Sequence, residues 1–176
     1  MSVANLHERT FAVQPQAVGA LLDALAAEGD PTWPGDIWPA LRLDRPLGIG
    51  ATGGHGPIRY HVVAYVPGQR VRFRFDRPHG FDGFHEFTVL PDHDGTVLQH
   101  KIAMRVHGHA LLTWPLVFRP MHDALLEDLL DRAEERLTDG VARRAGWSWW
   151  VRVLRRLSMP RRKTSRAQAK ADGEPA

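Results

Sequence analysis

The spacing of apolar and polar positions changes along this chain, and each change marks an element. "VANLHERTFAV" (Val3–Val13) alternates loosely and predicts a strand. After Pro15, Val18, Leu21, Leu22 and Leu25 take the spacing of a short amphipathic helix, closed by Gly29. Residues 30–57 are dense in proline and glycine and predict loop, with at most a helical turn near Ile37–Leu41. From Ile58 the period is two. "IRYHVVAYV", the turn at Pro67-Gly68 and "RVRFRFD" make a hairpin with Val71, Phe73 and Phe75 on one face and arginines on the other. "FHEFTVL", the turn "PDHDG" and "TVLQHKIAMRV" repeat the pattern, as an antiparallel meander rather than a parallel sheet.

The period then lengthens. Leu111, Trp114, Phe118, Met121, Leu125, Leu129, Ala133 and Leu137 form one stripe of a helix over Ala110–Leu137, ended by Asp139-Gly140. Pro115 and Pro120 predict a bend or a loop-like start in its first third. A second helix is expected over 147–157, with Trp147, Trp150, Val151, Leu154 and Leu157 on one face and Arg152, Arg155 and Arg156 mostly opposite; Pro160 stops it. The terminal "SRAQAKADGEPA" reads as disordered.

Composition narrows the classes. A chain of 176 residues, 43% hydrophobic, holds one domain with a sizeable core. Without cysteine there is no disulfide framework, thiolate metal site or cysteine nucleophile. "MSVANLHERT" is not a secretory signal, and Leu111–Phe118 is too short and interrupted to span a bilayer, so a cytosolic bacterial-type protein is expected. The net charge of +3 hides a split: residues 1–140 carry 13 Lys+Arg against 18 Asp+Glu, and residues 141–176 carry 10 against 2. A basic tail on an acidic body has its own electrostatic task.

"GPIRYHVVAYVPGQRVRFRF", "GFDGFHEFTVLPDHDGTVLQHKI" and "WPLVFRPMHDALLEDLLDRAEERL" together resemble the START-like (SRPBCC) superfamily, the helix-grip group that includes polyketide cyclase/dehydrases and lipid-transport domains. The resemblance covers roughly residues 3–138. It implies an α+β fold in which a curved antiparallel sheet grips one long C-terminal helix, with a cavity between them. These motifs belong to the fold and carry no chemistry of their own. The expected division is a helix-grip domain over 1–140, a basic amphipathic helix over 141–160 and a disordered basic tail over 161–176.

Alternation assigns an inward set on the strands: Leu98, His100, Ile102, Met104 and Val106; His85, Phe87 and Val89; and Tyr60, Val62, Phe73 and Phe75. The helix adds Trp114, Phe118, Met121 and His122. The result is either an aromatic cavity for a small molecule or a plain core with satisfied histidines. For an enzyme, His85, His100 and His122 are the acid–base candidates and Tyr60 the donor to a developing oxyanion. His55, His79, His93, His107 and His109 fall in loops or strand ends, where exposure is the simpler account. "PTWPGDIWP" makes Trp33 and Trp38 either an aromatic gate at the cavity entrance or anchors of a loop.

Other lookalikes fail on context. "GIGATG" matches a dinucleotide loop in letters but precedes a strand, and is expected to be a flexible loop over the cavity mouth. No metal site or tightly bound cofactor is indicated. For the tail, Trp147, Trp150, Arg152, Arg155 and Arg156 suit an anionic membrane surface, which would make the protein peripheral at the inner membrane face. They suit packing on the acidic body as well, and nucleic acid is disfavoured by the acidic domain. Three functions stand open: carriage of an apolar or aromatic small molecule or lipid, a cyclase/dehydratase-type enzyme using inward histidines, and a non-catalytic structural or regulatory module.

Overall fold

A computed structural model describes residues 1–138, 140 and 144–158. The remaining expectations, for Asp139, Pro160 and the disordered basic tail over 161–176, lie outside the described residues. Seven antiparallel strands form one sheet in the order β1-β7-β6-β5-β4-β3-β2. They are β1 (Ser2–Phe11), β2 (Arg42–Leu43), β3 (Thr52–His55), β4 (Ile58–Val66), β5 (Arg70–Arg77), β6 (Phe81–Asp92) and β7 (Gly95–Val106). Strands β2 to β7 run as a meander. β1, separated from them by helix α1 (Pro15–Asp23), returns to pair with β7 over its whole length, from Ser2 opposite Arg105 to Phe11 opposite Thr96.

One face of the sheet packs on a broken helix: α2 (Ala110–Thr113), a π-helical turn (Trp114–Phe118) and α3 (Arg119–Leu137). The break sits where the two prolines lack backbone N–H groups. It is a widened turn rather than a loop. Leu125, Leu126, Leu129, Leu130 and Ala133 of α3 are buried against the sheet and α1. Leu111, expected on the inward stripe, is 45% exposed because α2 precedes the widened turn and points that position away. This is the helix-grip architecture.

Two polar residues of β1 tie it to α3. The Arg9 guanidinium pairs with Asp131 at 2.7 Å, Glu134 at 2.8 Å and Glu127 at 3.1 Å, carboxylates spaced along one side of the helix. His7 bonds Asp123 and Glu127, each at 3.0 Å. Asp131 is nearly fully buried, so this cation answers a charge that water does not reach.

The proline-rich segment is more ordered than its composition predicts. Asp30 caps it by accepting from the backbone of Thr32 and Trp33, and β2 and β3 add two short strands to the edge of the sheet. "GIGATG" therefore ends in sheet and not in a flexible loop. A side chain at Gly53 would collide with the Arg42 carbonyl across the β2–β3 pair, and one at Gly54 with the Ile58 carbonyl of β4. Glycine here permits close strand approach.

The last helix, α4 (Trp149–Ser158), lies against the body. Val151 and Leu154 are buried as expected, but Leu157, placed on the same face by spacing, is 78% exposed. Arg155, expected on the basic outer face, is turned inward. Its guanidinium lies 3.8 Å from the Trp147 ring and 4.6 Å from the Trp38 ring, and it donates to the Ile37 carbonyl. Trp147 and Trp150 are also held by the body: Trp147 donates to Asp128 at 2.8 Å and Trp150 to the Leu116 carbonyl at 2.8 Å. Of the five residues expected at a membrane, only Arg152 and Arg156 are exposed and clear of the body.

Candidate functional site

Between the sheet and the broken helix lies a cavity of about 400 Å³. That volume lies in the range of roughly 300–1,000 Å³ usual for small-molecule sites. Tyr60, Phe73, Phe75, His85, Phe87 and His100 supply the sheet side, and Trp114, Phe118, Met121 and His122 the helix side. Trp33 and Trp38 wall it from the proline-rich segment, while Leu154 and Leu157 close it from α4. Among the described residues, no aspartate, glutamate, lysine or arginine lines it.

Two expected lining residues are elsewhere. Val62 and Met104 are buried on the inward face but pack in core clusters outside the cavity, Met104 with Phe81, Val106 and Ala110. Alternation fixes the face of a strand and not the position along it, and the cavity occupies only its middle rows. His55, expected to be a surface residue, instead lines the cavity beside Trp33, with ring centroids 5.0 Å apart, and Tyr60 at 6.1 Å. His79, His93, His107 and His109 are exposed, as expected.

Histidines gather where register aligns them. His7 lies opposite His100 across β1–β7, and His85 faces Phe73 and Ile102 on its neighbouring strands. His85 Nδ1 and His100 Nε2 are 3.3 Å apart. The His85 ring is stacked on Phe73 and Phe75 and meets Tyr60 edge-on at 4.7 Å, and His100 stands 5.0 Å from His122. These rings are clamped by packing.

Burial sets their charge. His85 and His100 are driven well below the usual histidine range by burial, and then His85 by His55 and His122, and His100 by His122, His85, His7 and His55. Burial also lowers His55, to about 3, and His122. They are neutral at pH 7. His7 differs: burial lowers it, but the Asp123 and Glu127 carboxylates hold it above the usual value. Burial raises Tyr60. Among the described residues, His85 Nε2, His100 Nδ1 and both His122 nitrogens are buried without a hydrogen-bond partner. Each such atom costs about 1–3 kcal/mol, so four of them among the residues around one cavity are unusual.

Three side chains meet at the outer end of this row. His7, His122 and Asp123 present ligand atoms within 4.8 Å of one another. Asp123 accepts from His7 and Asn5 at 3.0 Å each, while His122 Nδ1 stands 3.5 Å away. Donors already surround the carboxylate, which reads as a hydrogen-bonded corner. Neither His7 nor Asn5 was singled out in the sequence. The signal available was the strand alternation of β1, which places Asn5, His7 and Arg9 on one face.

No family model matches the chain, and no curated protein matches it. Among solved structures, the di-domain ARO/CYC StfQ from the steffimycin biosynthetic pathway is similar at 14% identity and a TM-score of 0.57, over 77% of this chain and 50% of that one. The chain thus spans about half the length of that protein. A point mutant of Thalictrum norcoclaurine synthase, in complex with a transition-state analogue, matches at 14% identity and a TM-score of 0.52, over 74% and 95% of the two chains. Ara h 8.0201 matches at 10% identity and a TM-score of 0.58, over 78% and 99%. With the curved sheet and the helix across it, these likenesses show the helix-grip fold, the architecture that the resemblance in the sequence implies.

Proposed function

We propose that this protein binds an uncharged apolar or aromatic small molecule, lipid-like or ring-bearing, in the cavity between sheet and helix. The observation that carries the reading is an approximately 400 Å³ space walled by aromatic and aliphatic side chains with neutral polar groups and, among the described residues, no formal charge. A charged ligand would be stripped of water there without a counter-ion. A hydroxyl or carbonyl on the ligand would relieve the partnerless histidine nitrogens after a modest ring rotation. The fold neighbours support the reading through their names alone, an aromatase/cyclase and a synthase among them.

A cyclase/dehydratase-type reaction is the second reading, favoured by the 3.3 Å approach of His85 to His100. Two neutral imidazoles in contact are suited to passing a proton. Both remaining nitrogens of the pair are covered, however, so proton transfer to a ligand requires one ring to turn. Binding is the simpler use of the site as it stands.

The test is extraction and mass spectrometry of whatever co-purifies with the full chain, followed by fluorescence titration with the neutral probe N-phenyl-1-naphthylamine. Saturable one-to-one uptake that weakens in Phe118→Ala supports the binding reading. No co-purified molecule together with no saturable uptake refutes it. Conversion of a poly-β-keto compound, lost in His100→Phe while binding persists, would favour the enzyme.

A further inference from the structure

The rim of the cavity carries an apolar surface that no part of the described body covers. Leu112 is 69% exposed and Leu116 56%, on α2 and the widened turn, with Leu111 and Val117 beside them. Across the mouth, α4 presents Trp149 at 72% and Leu157 at 78%. The two elements are joined directly. Pro120 has no N–H to give the Leu116 carbonyl one turn back, and the Trp150 indole takes that carbonyl instead. Val117 and Leu157 belong both to this surface and to the cavity lining. Through Val117 and Leu157 the exposed apolar surface is continuous with the cavity wall.

On α2, the widened turn and α4 the charge has one sign. Arg119, exposed on α3 beside the turn, pairs with Asp123 at 3.7 Å, and Arg152 and Arg156 lie on the outward side of α4 with Trp149. Trp147, Arg152, Arg155 and Arg156 line a shallow hollow there. No aspartate or glutamate occurs from residue 95 to 122 or from 140 to 171, so both elements are free of carboxylates. Among the described residues, Arg152 and Arg156 have no acidic partner. Residues 159–176 hold one methionine, no larger aliphatic or aromatic side chain, and five Lys+Arg against two acids. Their composition adds positive charge and no apolar cover.

We propose that this rim, formed by Leu112 and Leu116 on one side and Trp149 and Leu157 on the other, docks on an anionic lipid surface. Leucine and tryptophan enter the headgroup–acyl boundary while arginines pair with phosphate, which is the composition the rim presents. A second copy of the chain fits less well, because a symmetric contact would set the arginines against their own kind. Nucleic acid would meet aliphatic side chains where it needs stacking platforms. The proposal goes beyond the ligand reading and does not depend on it, since a lipid surface can hold the rim whether the cavity is empty or filled. It also replaces the membrane face expected from the sequence, in which Trp147, Trp150 and Arg155 took part.

The experiment is co-sedimentation of the full chain with vesicles of phosphatidylcholine alone or mixed with phosphatidylglycerol, at low and high salt. Leu112→Ser/Trp149→Ser and Arg152→Gln/Arg156→Gln are the variants, with thermal unfolding showing that each is folded. The unchanged chain is expected to bind the mixed vesicles, less so at high salt, and each double variant to bind at least about ten-fold more weakly. No binding to the mixed vesicles overturns the proposal. So does binding that Leu112→Ser/Trp149→Ser leaves unchanged, or a dimer in light scattering that this variant dissociates while vesicles are ignored.

Discussion

Trp38 and Trp147 donate their indole N–H groups to the same oxygen of Asp128, at 2.7 and 2.8 Å. One ring belongs to the proline-rich wall of the cavity and the other to the segment leading into α4, so a single carboxylate on α3 fastens both. Arg155 stacks on both rings and completes the clasp. Asp128→Ala should cost about 2–3 kcal/mol, since two charge-assisted bonds go together. It should also speed ligand association by loosening two walls at once. Chemical denaturation and stopped-flow binding of a neutral probe check the two effects.

Acid should weaken the fold through the buried histidines. For a histidine lowered in the folded state, stability is complete above the ordinary value of 6.5 and is lost as pH falls toward the folded value. His55, His85 and His100 all act in this sense, with the window reaching down to about 3 for His55. His7 acts oppositely, because its raised value stabilises the fold below 6.5 and that gain fades as pH rises through the folded value. With His122 lowered in the same sense, four groups outweigh one, and each contributes up to about 1.4 kcal/mol per pH unit. Urea midpoints measured between pH 7.5 and 4 should fall steadily, and His85→Phe should flatten the slope. A midpoint that rises on acidification would contradict the assignment.

Trp114 and Phe118 both line the cavity, yet their substitutions should differ. Trp114 is buried in the cluster with Phe81, Met104 and Val106, so Trp114→Ala should cost about 3–5 kcal/mol and impair binding only as part of that loss. Phe118 is half-buried, one turn later, at the edge of the cavity. Phe118→Ala should leave most of the stability and weaken probe binding about ten-fold. Parallel melting and titration separate the two. Equal losses in both variants would mean that the space is only an imperfect core.

The seam between β1 and α3 is open to a direct measurement. Arg9→Met leaves Asp131 buried beside Glu127 and Glu134 without the cation that answers all three. A loss of about 3 kcal/mol or more is expected. Asp131→Asn in the same chain should restore part of it, because the stranded charge is then removed. If Arg9→Met alone costs under about 1 kcal/mol, the network behaves as an ordinary surface pair.

Strand periodicity made the inward face of β4 to β7 legible, and with it Tyr60, Phe73, His85 and His100. Period two is a property of the backbone and survives any neighbour. Depth along the strand is not encoded that way, so Val62 and Met104 were assigned to the cavity when they pack beyond it. His55 was missed because its strand is four residues long and half glycine, too short to display a period. Arg155 and Leu157 exchanged roles for a related reason. Helical spacing predicts two faces, whereas aromatic rings on other elements decided which positions were covered. The expected bend at Pro115 and Pro120 was correct in place, but its form depended on a carbonyl acceptor finding an indole from far along the chain.

The pairing of β1 with β7 has a consequence for how the chain acquires its shape. Ser2 finds its sheet partner only at Arg105, and the carboxylates that hold Arg9 come later still. During synthesis β1 must therefore wait beside the exit of the ribosome, edge open, while nearly the whole sheet is made. Such long-range closure slows folding and leaves an unpaired edge available to wrong partners. His7, Glu8 and Arg9, consecutive in β1, make that edge polar during the wait, so the His7 and Arg9 that later lock the seam also protect the nascent chain from sticking to its neighbours.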